Sequence, residues 1–185
     1  MMEVVSKKLQ AYCSEMHGQY LSLVTMPVIM VSIAKQRLYL LDNASIVDEF
    51  VISTASNGSG CQSGSEKTPL GVHRIAQKIG GGSSIYTRFV GRKSTGEYLP
   101  SLAHGEYSEV DAITSRIIWL EGLEKGLNKG GNVDSFERYI YIHGTNEEWR
   151  LGAPASHGCI RMLNRDVISL FDIVAVHSLV VIVEG

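Results

Sequence analysis

The first apolar positions of the chain recur at the spacing of an amphipathic helix. Between residues 3 and 17, six of them fall on one face at a period of 3.6 residues: Val4, Val5, Leu9, Tyr12, Cys13 and Met16. The pattern predicts a short helix ahead of the main domain. Cys13 lies on the apolar face of this helix and is interpreted as a small buried hydrophobe.

Three runs of β-type residues follow the predicted helix. They span residues 28–33, 37–41 and 46–53. Residues 34–36 and 42–44, which separate the runs, have side chains typical of tight turns. Short strands joined by short turns predict an antiparallel meander.

The middle of the chain is rich in glycine. Residues 54–105 contain ten of the 19 glycines, which predicts long loops and close backbone approaches between short strands. Neither the Gly-Ser-Gly at residues 58–60 nor the triple glycine at residues 80–82 fits a nucleotide-binding motif. Nucleotide binding is therefore not expected, whereas long loops on a β scaffold are where functional sites tend to lie.

The last third of the chain predicts two strands, a helix and a final strand. Residues 116–120 and 138–142 are β-type runs, and the second leads directly into His143. Asn164 is predicted as the N-cap of a helix whose apolar residues follow at i, i+3, i+4 and i+7: Val167, Leu170, Phe171 and Val174. Residues 179–183 then form a buried strand. We predict one domain over residues 26–185 and a helical extension over residues 1–25.

Composition and charge exclude several functions. The 17 basic and 19 acidic side chains give a formal net charge of −2, which argues against a polybasic surface for nucleic acid or anionic lipid. The three cysteines are an odd number without any Cys-x-x-Cys, so neither a disulfide framework nor a zinc ribbon is expected. A chain of 185 residues is also long enough to bury a core without such cross-links.

No segment has the pattern of a membrane anchor or an export signal. The longest apolar run, residues 28–34, is far shorter than the roughly 20 residues that cross a bilayer. The N-terminal residues mix acidic and basic side chains where a signal needs an apolar stretch. We therefore expect a soluble protein, cytoplasmic as written, or located in the periplasm or cell envelope if a leader was removed.

The reactive side chains concentrate between residues 143 and 161. This segment holds two of the six histidines and one of the three cysteines, namely His143, His157 and Cys159. A cysteine nucleophile acts as the thiolate, so it needs a neighbouring base or cation, and histidine is the usual partner. Gly158 and the helix predicted after Cys159 offer backbone N–H groups to a developing oxyanion. A thiol, an imidazole and amide donors together indicate acyl transfer.

Two short stretches of this segment have a recognisable order. Ile-His-Gly-Thr occupies residues 142–145, and Ser-His-Gly-Cys-Ile-Arg-Met occupies residues 156–162, so that His143 precedes Cys159 by 16 residues. These stretches resemble the signature of the L,D-transpeptidase catalytic domain, also called the YkuD family. Thr-Pro-Leu-Gly at residues 68–71 resembles a further element of that family, which typically lies near the active-site groove.

The resemblance implies a mainly β fold, with a mixed β-sheet sandwich and a few helices, that acts on peptidoglycan stem peptides of the cell wall. The implied reaction cleaves the bond between diaminopimelate and the terminal D-alanine of a tetrapeptide and holds the remainder as a thioester. In that scheme Cys159 is the nucleophile and His143 is the general base. The backbone carbonyl of Gly144 orients the histidine, so that no carboxylate is needed as a third member.

The resemblance also assigns residues around the thiol. His157, Gly158 and Ser156 would form the oxyanion loop. Arg161 and Thr145 would contact the substrate, Arg161 by bidentate pairing with a carboxylate. Stem peptides or muropeptides are the implied binding partners, and β-lactams of the carbapenem type are the implied covalent inhibitors. No cofactor and no metal ion are implied.

The acyl acceptor decides the product, and the motif does not identify it. An amine of a second stem peptide would give a 3-3 cross-link, and a lipoprotein lysine would give an anchored protein. Water would make the enzyme an L,D-carboxypeptidase, a hydrolase of the kind that trims recycled muropeptides. Because peptidoglycan that can be cross-linked lies outside the cytoplasmic membrane, the lack of a visible leader favours water.

Other interpretations of the same residues remain open. His143, His157 and Cys159 could be zinc ligands with an open fourth position. A non-catalytic peptidoglycan-binding module could keep the fold, although it would usually have lost the thiol or the imidazole. A papain-like protease would need its histidine after the cysteine in the chain. Glu147 and Glu148 are interpreted as a solvated loop edge.

Overall fold

The strands of the described chain form a single hydrogen-bonded sheet. The computed structural model describes residues 27–43 and 45–185, so the predicted N-terminal helix and Cys13 lie outside the described residues. The ten strands are β1 (Val28–Ser32), β2 (Arg37–Asp42), β3 (Ser45–Ser53), β4 (Gly71–Ile79), β5 (Thr87–Val90), β6 (Lys93–Tyr98), β7 (Ile113–Gly122), β8 (Tyr141–Gly144), β9 (Ile160–Met162) and β10 (Leu179–Val183). Helix α1 spans Asn164–Ile173, and short 3₁₀ turns span Gly131–Val133 and Glu148–Arg150.

The sheet closes on itself. Its order is β4-β10-β1-β2-β3-β9-β8-β7-β5-β6, and β4 also pairs with β7. The β1–β10 and β8–β9 pairs are parallel, whereas the other strand pairs of the described chain are antiparallel. The mainly β fold with a mixed sheet is therefore confirmed. The division into an extension and a domain stays a prediction.

Most of the strands predicted from apolar patterns are present. β1, β2 and β3 pair antiparallel in sequence, which confirms the meander, and β7 and β10 contain the other predicted runs. The strand predicted over residues 138–142 begins only at Tyr141. Arg138 lies instead in a turn, where its backbone N–H donates to the carbonyl of Asp134 and its guanidinium to three other carbonyls.

Helix α1 packs its apolar face against the closed sheet, mainly on β7 and β8. Val167 and Leu170 are fully buried there in the largest hydrophobic cluster. Burial of one such side chain contributes about 1.5–3 kcal/mol. The helix predicted from the i, i+3, i+4 spacing is thus confirmed. It packs on the sheet face opposite the one that carries the reactive residues.

The start of helix α1 differs from the prediction. Leu163, not Asn164, occupies the N-cap position, and Asn164 is the first helical residue. Its backbone N–H donates to Oε1 of Glu148 at 2.7 Å, so a carboxylate supplied from another segment satisfies the helix start. The Asn164 side chain is buried and accepts hydrogen bonds from the hydroxyls of Thr114 and Ser115 while donating to the carbonyl of Thr145. Asn164 therefore ties the helix to the chain just after β8.

His73 on β4 is fully buried and packs away from solvent. Its Nδ1 donates to the carbonyl of Gly71 at 3.0 Å, and its Nε2 accepts from the hydroxyl of Ser135 at 2.9 Å. Burial lowers the pKa of His73 from 6.5 to about 4. The folded chain therefore holds this imidazole neutral, whereas the unfolded chain binds a proton below pH 6.5.

We expect this difference to make stability depend on pH. A lowered folded-state pKa contributes stability that is complete above pH 6.5 and is lost as the pH falls towards 4. Between pH 7.5 and pH 5 the His73 contribution should fall by about 2 kcal/mol. Urea unfolding of wild type and His73→Asn at both pH values measures this contribution. The difference in free energy of unfolding between the two proteins should be smaller by that amount at pH 5. An unchanged gap would contradict the assignment.

Candidate active site

The sheet brings His143, Arg161 and Cys159 of the motif to one face. β8 and β9 are parallel, with His143 opposite Arg161 and Ile142 opposite Ile160. Ile142 and Ile160 belong to the main core. Because successive side chains of a strand point to opposite faces, His143 and Arg161 lie on the other face. Cys159, which immediately precedes β9, lies on that face as well.

The Cys159 thiol is half-buried in an apolar surrounding. It packs against a cluster that includes Ile117, Trp119 and Tyr141. Sγ lies 3.4 Å from the carbonyl oxygen of Tyr139, to which it donates, and 3.4 Å from the N–H of Tyr141, from which it accepts. Two backbone groups of one segment thus hold the sulfur beside β8.

Burial raises the pKa of the Cys159 thiol to about 12. The negative charge of Asp111 acts in the same direction. The N–H of Tyr141 and the cations Arg161 and Arg138 act in the opposite direction without overcoming burial. In the free protein at neutral pH, Cys159 is therefore a neutral thiol.

His143 is buried on β8, and its orientation is fixed by its neighbour. Nδ1 lies 2.8 Å from the carbonyl oxygen of Gly144. A carbonyl only accepts, so Nδ1 carries the proton and Nε2 is left as a proton acceptor. Burial lowers the pKa of His143, and Arg161 contributes to the lowering, whereas Asp111 and the Gly144 carbonyl oppose it. The imidazole is therefore neutral, which is the state that a general base needs.

Alkylation of Cys159 in the free protein should report the neutral thiol. Iodoacetamide reacts with the thiolate, so the rate should be low at pH 7 and should still be rising above pH 9, where a cysteine with a pKa of about 8.5 approaches its plateau. The measurement uses intact mass and peptide mapping between pH 6 and 10, with Cys13 and Cys61 replaced by Ser. Rapid alkylation at pH 6 with a plateau below pH 8 would mean a preformed thiolate and would contradict the expectation.

The loop before Cys159 is fixed by its own hydrogen bonds. Ser156 Oγ donates to the Cys159 carbonyl at 2.5 Å and accepts from the N–H of Gly158 at 3.3 Å. Gly158 has a φ of +127°, a conformation that side chains rarely adopt. The N–H of Gly158 thus points within the loop, and the oxyanion role assigned to Ser156 and Gly158 stays a prediction.

Thr68 connects the Thr-Pro-Leu-Gly element to the same loop. Its buried hydroxyl donates to the Gly158 carbonyl at 3.0 Å and accepts from the N–H of Ala55 at 3.0 Å. Nearby, the Arg138 guanidinium donates to the carbonyl of Lys67, next to Thr68. The element therefore lies against the loop that presents Cys159.

The two histidines of the motif have different surroundings. His143 is buried, whereas His157 is exposed and its Nδ1 lies 3.1 Å from Oδ2 of Asp111. No group of three or more His, Cys, Asp or Glu side chains within residues 27–43 and 45–185 could hold a metal ion. His143, His157 and Cys159 therefore do not form the zinc site considered above.

Arg161 is buried and paired with carboxylates of the chain itself. One terminal nitrogen lies 2.9 Å from Oε2 of Glu147, and the other lies 2.8 Å from Oδ1 of Asp111. Thr145 is also buried, and its hydroxyl accepts from the N–H of Glu147 at 3.1 Å. Contacts of Arg161 and Thr145 with substrate stay predictions, and the structure gives both residues partners inside the chain.

Two acidic residues that matter here were not recognised from the sequence. Glu147 is buried between Arg161 and Arg150, so its interpretation as a solvated loop edge is wrong. Asp111 precedes β7 and reaches Arg161 and His157 from a different loop. Burial acts to raise the pKa of Asp111, but the charge of protonated His143, the charge of Arg161 and the hydrogen bonds from Arg161 and His157 outweigh it, and the pKa is lowered.

Glu148 also differs from the predicted solvated edge. Its carboxylate accepts from the hydroxyl of Ser101 and from the backbone N–H and side-chain amide of Asn164. Glu148 thus links the segment after β8 to the start of helix α1.

In the described part of the chain, none of the helices has the length and apolar character to span a membrane.

Solved structures with this fold are similar to the chain at low sequence identity. The L,D-transpeptidase from Xylanimonas cellulosilytica DSM 15894 has a TM-score of 0.53 and 16% identity, over 86% of this chain and 61% of that chain. The Ldtfm–avibactam carbamoyl enzyme has a TM-score of 0.50 and 15% identity, over 88% of this chain and 50% of that chain. These similarities show the fold, and the chain spans 50–61% of the length of these two proteins. No curated protein sequence matches the chain.

The sequence model of the L,D-transpeptidase catalytic domain (YkuD) matches residues 26–182. This match covers most of the 185 residues. It includes β8 with His143, the loop with Cys159, and the Thr-Pro-Leu-Gly element that contacts this loop. The chain therefore belongs to the L,D-transpeptidase catalytic-domain family.

Proposed function

We propose that this chain transfers the acyl group of peptidoglycan stem tetrapeptides through a thioester on Cys159. The observation that carries the proposal is that a half-buried thiol and a buried, neutral imidazole lie on the same sheet face. The Gly144 carbonyl fixes the His143 proton on Nδ1, which leaves Nε2 free to accept a proton. Membership of the L,D-transpeptidase family supplies the substrate class.

The neutral state of both groups determines how the reaction would begin. Because Cys159 is a neutral thiol and His143 a neutral imidazole, proton transfer from Sγ to Nε2 accompanies attack of sulfur on the carbonyl carbon of the diaminopimelate residue. The C–N bond to D-alanine then breaks, and His143 returns the proton to the leaving amine. The products of this half-reaction are free D-alanine and the Cys159 thioester.

The second half-reaction regenerates the thiol. An incoming amine or a water molecule attacks the thioester carbonyl while His143 accepts its proton, and Sγ leaves and is reprotonated. An amine gives a cross-linked or exchanged peptide, whereas water gives a tripeptide and makes the protein an L,D-carboxypeptidase. The acceptor and the compartment in which it is met both stay predictions.

β-Lactams are proposed as covalent inhibitors of the same thiol. One structurally similar protein is described as an avibactam carbamoyl enzyme. Avibactam is a cyclic urea rather than a β-lactam, so this adduct supports acylation by strained cyclic carbonyl compounds in general. An electrophilic carbonyl that enters the site would meet Sγ in the position proposed for the stem peptide. A carbapenem should therefore give a single covalent adduct that maps to Cys159.

Product analysis tests the proposed function. The protein is incubated with a disaccharide tetrapeptide alone, with an added D-amino acid, and at high tetrapeptide concentration, and products are followed by mass spectrometry. Release of D-alanine is expected in all three mixtures, and tripeptide, exchanged peptide and dimer identify water, the D-amino acid and a second stem as acceptors. Binding of the tetrapeptide without release of D-alanine would favour the non-catalytic module instead.

A further inference from the structure

A substrate carboxylate needs a cation near Cys159, and two of the three nearby arginines are already occupied. This inference rests on the proposed function, since a stem tetrapeptide carries carboxylates at the terminal D-alanine and on the diaminopimelate side chain. Arg161 is paired with Glu147 and Asp111. The guanidinium of Arg138 donates to the carbonyls at residues 60, 61 and 67. Neither fork is free to receive a ligand.

The third arginine, Arg92, lies at the tip of the β5–β6 hairpin. Val90 pairs with Lys93, so Gly91 and Arg92 form a two-residue turn, with φ angles of +54° and +66°. Such a turn needs positive φ at both central positions, and glycine, asparagine and aspartate dominate there. An arginine in this conformation is unusual. A strained residue of this kind is a reason to look for a role of its side chain.

The Arg92 guanidinium is held by the residues that contact the sulfur. Its central carbon lies 4.8 Å from the Trp119 ring centroid and 4.9 Å from that of Tyr139, and one terminal nitrogen donates to the Tyr141 hydroxyl at 3.3 Å. The carbonyl of Tyr139 and the N–H of Tyr141 are the two backbone groups that contact Cys159 Sγ. Arg92 is therefore attached to both sides of the segment that holds the nucleophile.

Arg92 also keeps most of its hydrogen-bonding capacity. A guanidinium has five N–H donors, and within residues 27–43 and 45–185 the hydroxyls of Tyr141 and Tyr139 are the acceptors beside the guanidinium of Arg92. No carboxylate in that part of the chain forms an ion pair with it. The planar fork is thus fixed by aromatic rings and half-exposed, and no described residue is its counter-ion.

We propose that Arg92 binds a carboxylate of the stem peptide next to the scissile bond. A planar fork pairs with a carboxylate through two parallel hydrogen bonds. Two carboxylates could fill this position, on the terminal D-alanine or on the diaminopimelate side chain. The competing explanation is that Arg92 only clamps the hairpin onto Trp119.

The test combines variants of the arginine with substrates that lack one carboxylate each. Arg92→Gln removes the charge, Arg92→Lys keeps the charge without the fork, and Lys93→Gln is the matched control that removes a charge from the neighbouring exposed residue. The substrates are the free tetrapeptide, its C-terminal amide, and the tetrapeptide with lysine in place of diaminopimelate. D-alanine or D-alaninamide release gives kcat and KM for each pair.

We expect Arg92→Gln to raise KM for the tetrapeptide by about 10- to 100-fold, because a charged hydrogen bond to substrate is lost. The KM of Arg92→Lys should lie between those of Arg92→Gln and wild type, and the KM of Lys93→Gln should match that of wild type. The decisive comparison uses the substrate that lacks the contacted carboxylate. On that substrate, wild type and Arg92→Gln should have the same KM. Equal KM values on the C-terminal amide would identify the D-alanine carboxylate as the group that Arg92 contacts. Equal KM values on the lysine peptide would identify the carboxylate of diaminopimelate.

Two results would overturn the inference. One is that Arg92→Gln leaves the KM for the tetrapeptide unchanged. The other is that it impairs turnover of all three substrates by the same factor, which is expected if Arg92 only clamps the hairpin. Absence of D-alanine release by wild type is a separate result, because it contradicts the proposed function itself. Binding of the tetrapeptide to Cys159→Ala and to Cys159→Ala/Arg92→Gln, measured by calorimetry, then tests the carboxylate contact without turnover, and equal affinities would contradict it.

Discussion

Cys159→Ala should lower the rate of D-alanine release from a stem tetrapeptide by at least about 10⁴-fold, because the variant has no atom to form the thioester. The thiol is half-buried beside Trp119 and Tyr141, and replacement of the whole side chain by a methyl group removes one heavy atom, the sulfur. The fold should therefore persist, which the unfolding midpoint and the far-UV spectrum check. Steady-state release of D-alanine gives the loss of rate.

The matched control for this variant is the second free cysteine of the described chain. Cys61 is also half-buried and lies in the loop before β4, where its Sγ is 3.9 Å from the Leu70 carbonyl. Cys61→Ala removes the same atom from a thiol that the mechanism does not use, and its rate should stay within about twofold of wild type. Full activity of Cys159→Ala, or equal losses in both variants, would contradict the assignment of the nucleophile.

Arg161→Met should destabilise the protein by about 3 kcal/mol, the lower end of the range for breaking a buried ion pair. It removes the buried cation that Glu147 and Asp111 share, and leaves Glu147 with Arg150 and Asp111 with His157 as partners. The exposed fractions of the Arg161, Glu147 and Asp111 side chains are 2%, 5% and 21%. Methionine retains much of the aliphatic volume, so loss of charge is the main change. Urea unfolding at pH 7 measures the free energy of unfolding for both proteins.

An exposed ion pair provides the comparison for this variant. Arg37 and Glu49 form a pair on β2 and β3 whose side chains are 34% and 51% exposed. Arg37→Met should cost less than about 1 kcal/mol, because solvent screens such pairs. The cost of Arg161→Met should also shrink when Glu147→Gln is added, since one of the two carboxylates that lost Arg161 is then neutral. A loss below 1 kcal/mol for Arg161→Met would mean that the three charges do not form a buried unit.

Much of the scaffold and the centre of the candidate site follow from local sequence. The meander, helix α1 and β10 were predicted because their apolar residues repeat at the period of the element. His143 and Cys159 were found because a short motif carries both, and parallel pairing of β8 with β9 then places them on one face. The hydrogen bond from His143 to Gly144 involves adjacent residues, so it too depends on local order.

The partners of the site residues depend on how distant segments meet. Asp111 reaches Arg161 and His157 across 50 and 46 residues of sequence. Its position follows from the loop that precedes β7, which no local pattern defines. Glu147 carries no apolar periodicity that would mark it as buried, and it is buried because Arg161 neutralises it. Tertiary pairing of charges therefore overrode the usual preference of acidic residues for the surface.

The start of helix α1 shows the same limitation on a smaller scale. Asn164 has the side chain of an N-cap and stands before an apolar helix pattern, which is why it was predicted as the cap. Its amide instead satisfies buried groups of Thr114, Ser115 and Thr145, and Glu148 accepts the N–H at the helix start. A cap that comes from another segment cannot be found from the residues next to the helix.

Trapping of the acyl-enzyme tests the central claim most directly. Wild-type protein is mixed with the tetrapeptide, quenched in acid within milliseconds to seconds, and analysed by intact mass followed by peptide mapping. We predict an added mass equal to that of the tetrapeptide minus D-alanine, located on Cys159 and absent from Cys159→Ala. An adduct on another residue, or release of D-alanine at full rate with no adduct at any quench time, would contradict a thioester on Cys159.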